Sequence, residues 1–202
     1  MKTIKLENQS ITPSKIVCVG RNYVEHIKEL NNEIPENMVL FNKPNSAISD
    51  KLYYFNEYTR FEGEICFLIQ NKQISAIGFG FDLTKKDIQE YLKQKGLPWE
   101  RAKAFDNSAV FSEFVKFEGD LSTIEMKLYM NNKLQQHATY ELMIYKPNEI
   151  LKEILTFMDL EDGDIIMSGT PKGVSFYNKK DKFKSEIYLN KQLILEKNWE
   201  VL

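Results

Sequence analysis

The sequence predicts an α+β domain built mainly on β-structure. Three observations lead there. Short apolar or alternating segments, each bounded by Gly, Pro or Asn, recur along the whole chain. Only three stretches carry helix start signals. No repeat, low-complexity tract or linker interrupts the 202 residues, so one domain spanning 1–202 is expected. With 43% apolar and 28% charged residues the chain can bury a substantial core, which excludes disorder as its main state.

Taken in order, Lys15 to Val19 reads as a buried strand ended by Gly20, and Asn22 to Leu30 as a short helix with Asn22 as N-cap. Met38 to Phe41 is a short apolar run before the turn signal Lys43-Pro44-Asn45. Phe61 to Ile69 is the strongest strand. In Gly78-Phe79-Gly80-Phe81-Asp82 the alternate glycines suggest close backbone approach. Thr84-Lys85-Lys86-Asp87 fits a capping box, opening a helix to about Lys95 that Gly96 and Pro98 stop. Val110 to Phe117, Ile124 to Asn131 and Lys133 to His137 are expected to form a meander, with Asn131-Asn132 as a turn. Pro147 starts a helix that Glu149 to Phe157 continues. Leu160 to Asp164 turns into the strand Ile165-Ile166-Met167, and Glu186 to Val201 reads as a last hairpin.

Several function classes fall away. The net charge is −2, and the lysines of 179–184 alternate with Asp181 and Phe183, so no nucleic-acid surface is indicated. The longest apolar run, Ile65 to Ile69, is far short of the roughly 20 residues of a membrane helix, and no secretory signal is visible. Cys18 and Cys66 lie in apolar segments and read as buried reduced thiols, which makes the cytoplasm the expected location. Gly78-Phe79-Gly80 lacks the third glycine of a dinucleotide fingerprint, and Ser168 to Gly173 lacks the spacing of a Walker A loop. Two histidines 111 positions apart argue against a zinc site.

What remains is a carboxylate chemistry. Glu62 and Glu64 stand two apart on the strongest strand, so their side chains leave one face of the sheet. Such a pair is ordinarily a solvated face. Here apolar residues follow it into the core, and two buried like charges call for a cation between them. Asp82, at the end of the glycine-spaced strand, is the candidate third oxygen ligand for a hard divalent ion. His26 and Glu29, three apart on the first helix, are placed for a dyad in which the carboxylate orients the imidazole as a base; an exposed pair would look the same. His137, among polar residues, reads as a surface side chain. Lys103 lies among Ala102, Ala104 and Phe105, either snorkelling or aimed at an anion. The loop Ser168-Gly169-Thr170-Pro171-Lys172-Gly173 has the small residues and amides that cradle anions.

Together these segments resemble the fumarylacetoacetate hydrolase family, in particular its short branch with acylpyruvate hydrolases and oxaloacetate decarboxylases. The matching segments are Val19 to His26, Phe61 to Glu64, Asp82 to Gln89, Lys95 to Trp99, Ala102 to Phe105 and Gly163 to Val174. They cover most of the chain in the family's order. The resemblance implies a mixed β-sandwich roll, a homodimer, and Mg²⁺ or Mn²⁺ held by Glu62, Glu64 and Asp82. It implies His26 and Glu29 as the water-activating dyad and Lys103 as the active-site lysine. It further implies that Arg21, Lys86, Gln89 and Thr170 contact a small 2-oxo acid substrate. Relatives often carry an arginine where this chain has Lys86, and a lysine cannot grip a carboxylate bidentately.

The reaction the resemblance implies is metal-dependent cleavage of a C–C bond in a β-diketo or β-keto acid, by acylpyruvate hydrolysis or oxaloacetate decarboxylation through a pyruvate enolate. An isomerase or hydratase of 2-hydroxydienoate or 2-oxo acids is the rival on the same fold. A non-catalytic metal-binding scaffold is the rival of another class, disfavoured because His26, Glu29 and Lys103 are all present.

Overall fold

In chain order the computed structural model, which describes residues 1–30 and 33–202, begins with a small hairpin of β1 (Ile4–Leu6) and β2 (Gln9–Ile11). It continues with β3 (Lys15–Gly20), α1 (Val24–Glu29), β4 (Val39–Pro44), β5 (Ile48–Ser49), β6 (Thr59–Phe61), β7 (Gly63–Gln70) and β8 (Gln73–Asp82). Then come β9 (Thr84–Lys85), α2 (Lys86–Gln94), α3 (Glu100–Lys103), β10 (Ala109–Phe111) and β11 (Val115–Lys116). The remainder is β12 (Glu125–Met130), β13 (Lys133–Thr139), α4 (Pro147–Ile154), β14 (Ile165–Met167), β15 (Ser175–Phe176), β16 (Lys182–Leu189) and β17 (Gln192–Glu200).

The main sheet is mixed and runs β4-β3-β14-β7-β8-β10-β5, with β11 added alongside β8. β14 is parallel to β3 and antiparallel to β7, so it joins the two halves of the sheet. A second, antiparallel sheet runs β13-β12-β16-β17, and a small third one runs β15-β6-β9. The predicted mainly-β sandwich roll is therefore present. Alternation along β7 explains why the layers stack. Ile65, Phe67 and Ile69 point to a core shared with Met126, Leu128, Phe183 and Trp199 of the second sheet. Cys66 and Leu68 point the other way, to a core with Ile16, Cys18, Phe111, Phe114 and Met167. Both cysteines are buried and free.

Three tight turns organise the hairpins. Asn71-Lys72, Asn131-Asn132 and Asn190-Lys191 all have both residues at positive φ, as a two-residue primed turn requires. The turn at 71–72 would place Glu62 opposite Phe81, but a bulge between Leu68 and Ile69 shifts the register by one. Gly63 then pairs with Phe81, and the Asp82 amide donates to the Glu62 carbonyl at 2.8 Å. That single extra residue turns Asp82 to the face that carries Glu62 and Glu64.

The sequence expectations need correction in several places. The strand expected over Phe61 to Ile69 is broken at Glu62, because Phe61 ends β6 of the third sheet and β7 of the main sheet begins at Gly63. Asn22 is not an N-cap: α1 starts after Tyr23, without a side-chain cap. The buried Asn22 amide instead donates to the Ser168 and Tyr145 carbonyls and accepts from the Tyr145 amide. Thr84 forms no capping box, because its hydroxyl donates to Glu62 Oε1 at 3.0 Å. The stretch 110–117 does not belong to the meander; β10 and β11 pair with β8 in the main sheet. α4 ends at Ile154, short of Phe157, and α3 is an additional helix. The approach at Gly78 and Gly80 is made by side chains: added Cβ atoms would lie 2.8 Å from the Phe114 ring and 2.7 Å from Cys66 Sγ.

Candidate metal and acid–base site

The bulged register brings Glu62, Glu64 and Asp82 together, each buried, with ligand oxygens all within 4.8 Å of one another. Gly80 stands opposite Glu64, so no side chain intrudes there. The three carboxylates meet two buried ammonium groups. Lys103 Nζ donates to Glu62 Oε2 at 2.8 Å and to Asp82 Oδ2 at 2.5 Å. Lys43 Nζ, with no exposed surface, stands 2.9 Å from Asp82 Oδ1, though outside hydrogen-bond alignment. It donates instead to Ser108 Oγ and to the carbonyls of Lys103, Ser108 and Leu83.

This arrangement splits the carboxylates electrically. Burial raises the Glu62 carboxyl, but Lys103 and then His26 outweigh it and hold Glu62 below the usual range. Burial and the charges of Asp82 and Glu62 push Glu64 well up, against the single amide of Gly169. Burial lowers Lys103, and Asp82 and Glu62 more than restore it, so its ammonium is secure. Glu64 is the carboxylate whose ionised form lacks a countercharge, and a hard cation would supply it. Three carboxylates on one wall supply the oxygen donors that Mg²⁺ or Mn²⁺ prefers.

His26 lies beside this cluster, buried, and lines the same cavity. Its Nδ1 is 3.2 Å from Glu29 Oε2, and Glu29 in turn accepts from the Gly173 amide at 3.0 Å. The predicted pairing within one helix is thus present. The loop 168–173 does cradle anions, but they are the protein's own. Gly169 donates to Glu64 Oε2 at 2.8 Å, and Gly173 donates to Glu29. Both glycines are at positive φ; a Cβ at Gly173 would overlap the Gln135 carbonyl oxygen.

Arg21, Gln89 and Thr170 line the cavity with the carboxylates. The Thr170 hydroxyl is already engaged, donating to the Gly63 carbonyl and accepting from Gln136 Nε2. Lys86 does not line it; its ammonium pairs with Glu90 at 2.7 Å. His137 is an exposed partner of Glu125. Two cavity neighbours escaped the sequence reading. Lys43 was hidden in a turn signal. Lys93 lines the cavity from α2, and its spacing of four from Gln89 on one helix face was the available clue. Among the described residues no helix is long and apolar enough to cross a membrane.

Comparison with known proteins agrees with this geometry. Residues 15–196 match the family model for the fumarylacetoacetate (FAA) hydrolase C-terminal region. The oxaloacetate tautomerase YcgM of Escherichia coli is 37% identical over 180 residues, covering 80% of this chain and 82% of its own. The mitochondrial oxaloacetate tautomerase of Homo sapiens is 32% identical over 191 residues, covering 86% of each. A protein from Oleispira antarctica, described as a fumarylacetoacetate isomerase/hydrolase, superposes with a TM-score of 0.94 at 32% identity over the full length of both chains. Fumarylpyruvate hydrolase from Pseudomonas aeruginosa, solved with Mn²⁺ and pyruvate, gives 0.89 at 22% identity, over 100% of this chain and 95% of that one, a likeness of fold alone. By sequence and by architecture, this chain belongs to the fumarylacetoacetate hydrolase family.

Proposed function

We propose that this protein is a divalent-metal-dependent enzyme that acts on a small 2-oxo acid through its enolate. The observation that carries the reading is the buried triad Glu62, Glu64 and Asp82 within reach of both Lys103 and the His26–Glu29 pair. Glu62, Glu64 and Asp82 would hold Mg²⁺ or Mn²⁺. When bound there, the ion supplies a Lewis acid for negative charge on the substrate's carbonyl oxygen.

The chain's own residues do the rest. With Nδ1–H donated to Glu29, His26 keeps Nε2 as a proton acceptor. In keto–enol tautomerisation Nε2 takes a proton from C3, the C–H electron pair becomes the C2–C3 double bond, the carbonyl π pair moves onto oxygen, and the same proton is returned to that oxygen. Lys103 adds positive charge and fixes Glu62 and Asp82. The names of the E. coli and human relatives favour this reaction on an oxaloacetate-like substrate. C–C cleavage is the second reading, and the same base serves it, since the amide of Gly173 orients Glu29 behind His26. There His26 deprotonates water, the hydroxide attacks the distal carbonyl, the C–C bond breaks with its pair going to the pyruvate enolate, and the proton held by His26 returns to that enolate's C3. Direct loss of carbon dioxide from oxaloacetate would pass through it too. A two-fold dimer belongs to this reading and is tested by light scattering on the purified protein.

The experiment uses chelator-stripped protein and follows the enol absorbance of oxaloacetate and of acetylpyruvate, with and without Mg²⁺ or Mn²⁺. Metal-restored loss supports the reading, and pyruvate formation separates cleavage from tautomerisation. No metal-dependent change with either substrate would sink it.

A further inference from the structure

The floor of the cavity is acidic and its ammonium groups are committed. Its mouth is different. Arg21 and Lys93 line the same cavity, and among the described residues neither joins an ion pair, whereas Lys43, Lys86 and Lys103 all do. Arg21 is held at φ 58°, in the left-handed region that non-glycine residues avoid, and its Nε is buried without a partner. Strain at a residue whose polar group finds nothing in the protein is what a ligand clamp leaves behind. Lys93 is half-buried in the last turn of α2, with its ammonium 5.2 Å from the centroid of the Trp99 ring, which fixes its position. Burial, and after it the charges of Arg21 and Lys86, push this lysine down to about 8. Two neighbouring cations thus destabilise each other at the rim, and an anion placed between them would relieve both.

We propose that Arg21 and Lys93 bind the far carboxylate of a dianionic 2-oxo acid, so that this site selects dicarboxylate over monocarboxylate substrates. The inference rests on the reading above for the near end of the substrate, where the carboxylate and 2-oxo group lie toward Glu62, Glu64 and Asp82. A monoanion engaged there would leave the Arg21 Nε–H and the Lys93 ammonium unpaired. Lys86, tied to Glu90, is not the specificity residue on this account.

The test compares kcat/KM for oxaloacetate and acetylpyruvate, with Mn²⁺ present, in the wild type and in Lys93→Met, Lys93→Arg and Arg21→Asn. Asparagine is chosen because it tolerates the left-handed backbone. The dianion-to-monoanion ratio should fall roughly tenfold or more in Lys93→Met and in Arg21→Asn, mainly through KM, and recover in Lys93→Arg. Lys93 faces Arg21, Lys86, Glu62, Lys103 and Glu90. Its loss of charge should make wild-type kcat/KM for the dianion fall above about pH 8, a limb that Lys93→Arg abolishes. An unchanged ratio in Lys93→Met overturns the proposal. Calorimetric titration with malate and lactate reads the same preference without turnover. Preference for malate that survives in a protein turning over neither substrate keeps this inference and sinks the parent reading; equal affinity for the two overturns this one.

Discussion

Replacing Lys103 by methionine keeps the length of the side chain and removes the ammonium that bridges two of the three buried carboxylates. In the wild type that group donates to Glu62 at 2.8 Å and to Asp82 at 2.5 Å, with its side chain only 3% exposed. Taking one partner from a buried ion pair costs about 3–5 kcal/mol. Because two carboxylates lose the same partner, the upper part of that range applies. At about 2–4 °C per kcal/mol for a chain of this size, the metal-free Tm should fall by roughly 10–20 °C. The sign with pH follows from both partners. Glu62 is depressed, so its contribution is full above the ordinary carboxylate range and is lost as pH falls through its own lower value. Lys103 is raised, so its contribution is full below the ordinary lysine value and is lost only as pH climbs past it. The Tm gap should therefore be widest near neutrality and narrow in acid. Mn²⁺ should also narrow it, because the ion replaces the missing countercharge and binds more tightly where no ammonium competes. Differential scanning fluorimetry across pH, with chelator or with Mn²⁺, measures all of this. A metal-free variant that melts with the wild type at neutral pH, or a gap indifferent to both acid and Mn²⁺, would refute the reasoning.

Other perturbations probe the neighbours. His26→Ala should lower turnover by about 10²–10⁴ while calorimetric Mn²⁺ binding persists; loss of both together would mean that His26 belongs to the metal site. Glu64→Gln keeps an acceptor for the Gly169 amide but removes the charge, and Mn²⁺ affinity by calorimetry should drop at least about tenfold. Gly173→Ala must displace the Gln135 carbonyl and adopt φ 101°, so the denaturant midpoint should report a loss of more than about 2 kcal/mol. A midpoint equal to the wild type would show that the 168–173 loop yields easily.

Much of the site was legible because its chemistry is local. Glu62 and Glu64 stand two apart in extended backbone at the start of β7, His26 and Glu29 share a helix turn, and both pairings follow from period alone. Asp82 was a different matter. Its place opposite Glu62 depends on one bulge opposite Leu68/Ile69, whose extra residue is Ser75, and a lone serine in a strand does not by itself mark a bulge. Lys43 was illegible for a related reason. Its strand ends at Pro44, which reads as a turn, while the carbonyls that receive its ammonium come from residues 40 to 65 positions away. Asn22 and Thr84 have the right side chains for caps, but buried acceptors across the fold outcompete helix ends for them. Local pattern set which face each strand shows, and long-range register decided what stands there.

The insertion of β14 between β3 and β7 has a consequence for how the molecule is made. Residues 165–167 leave the ribosome long after both of their neighbours, yet they fill the gap between them. Until they arrive, β3 and β7 each expose a raw backbone edge, and the main sheet exists as two halves. Closing it joins segments about 100 and 150 positions apart, so folding should be slow and late. A nascent or truncated chain lacking this strand would be an aggregation-prone intermediate. The Glu64–Gly169 bond lies immediately beyond the same strand, so the acidic pocket is completed only once β14 is in place.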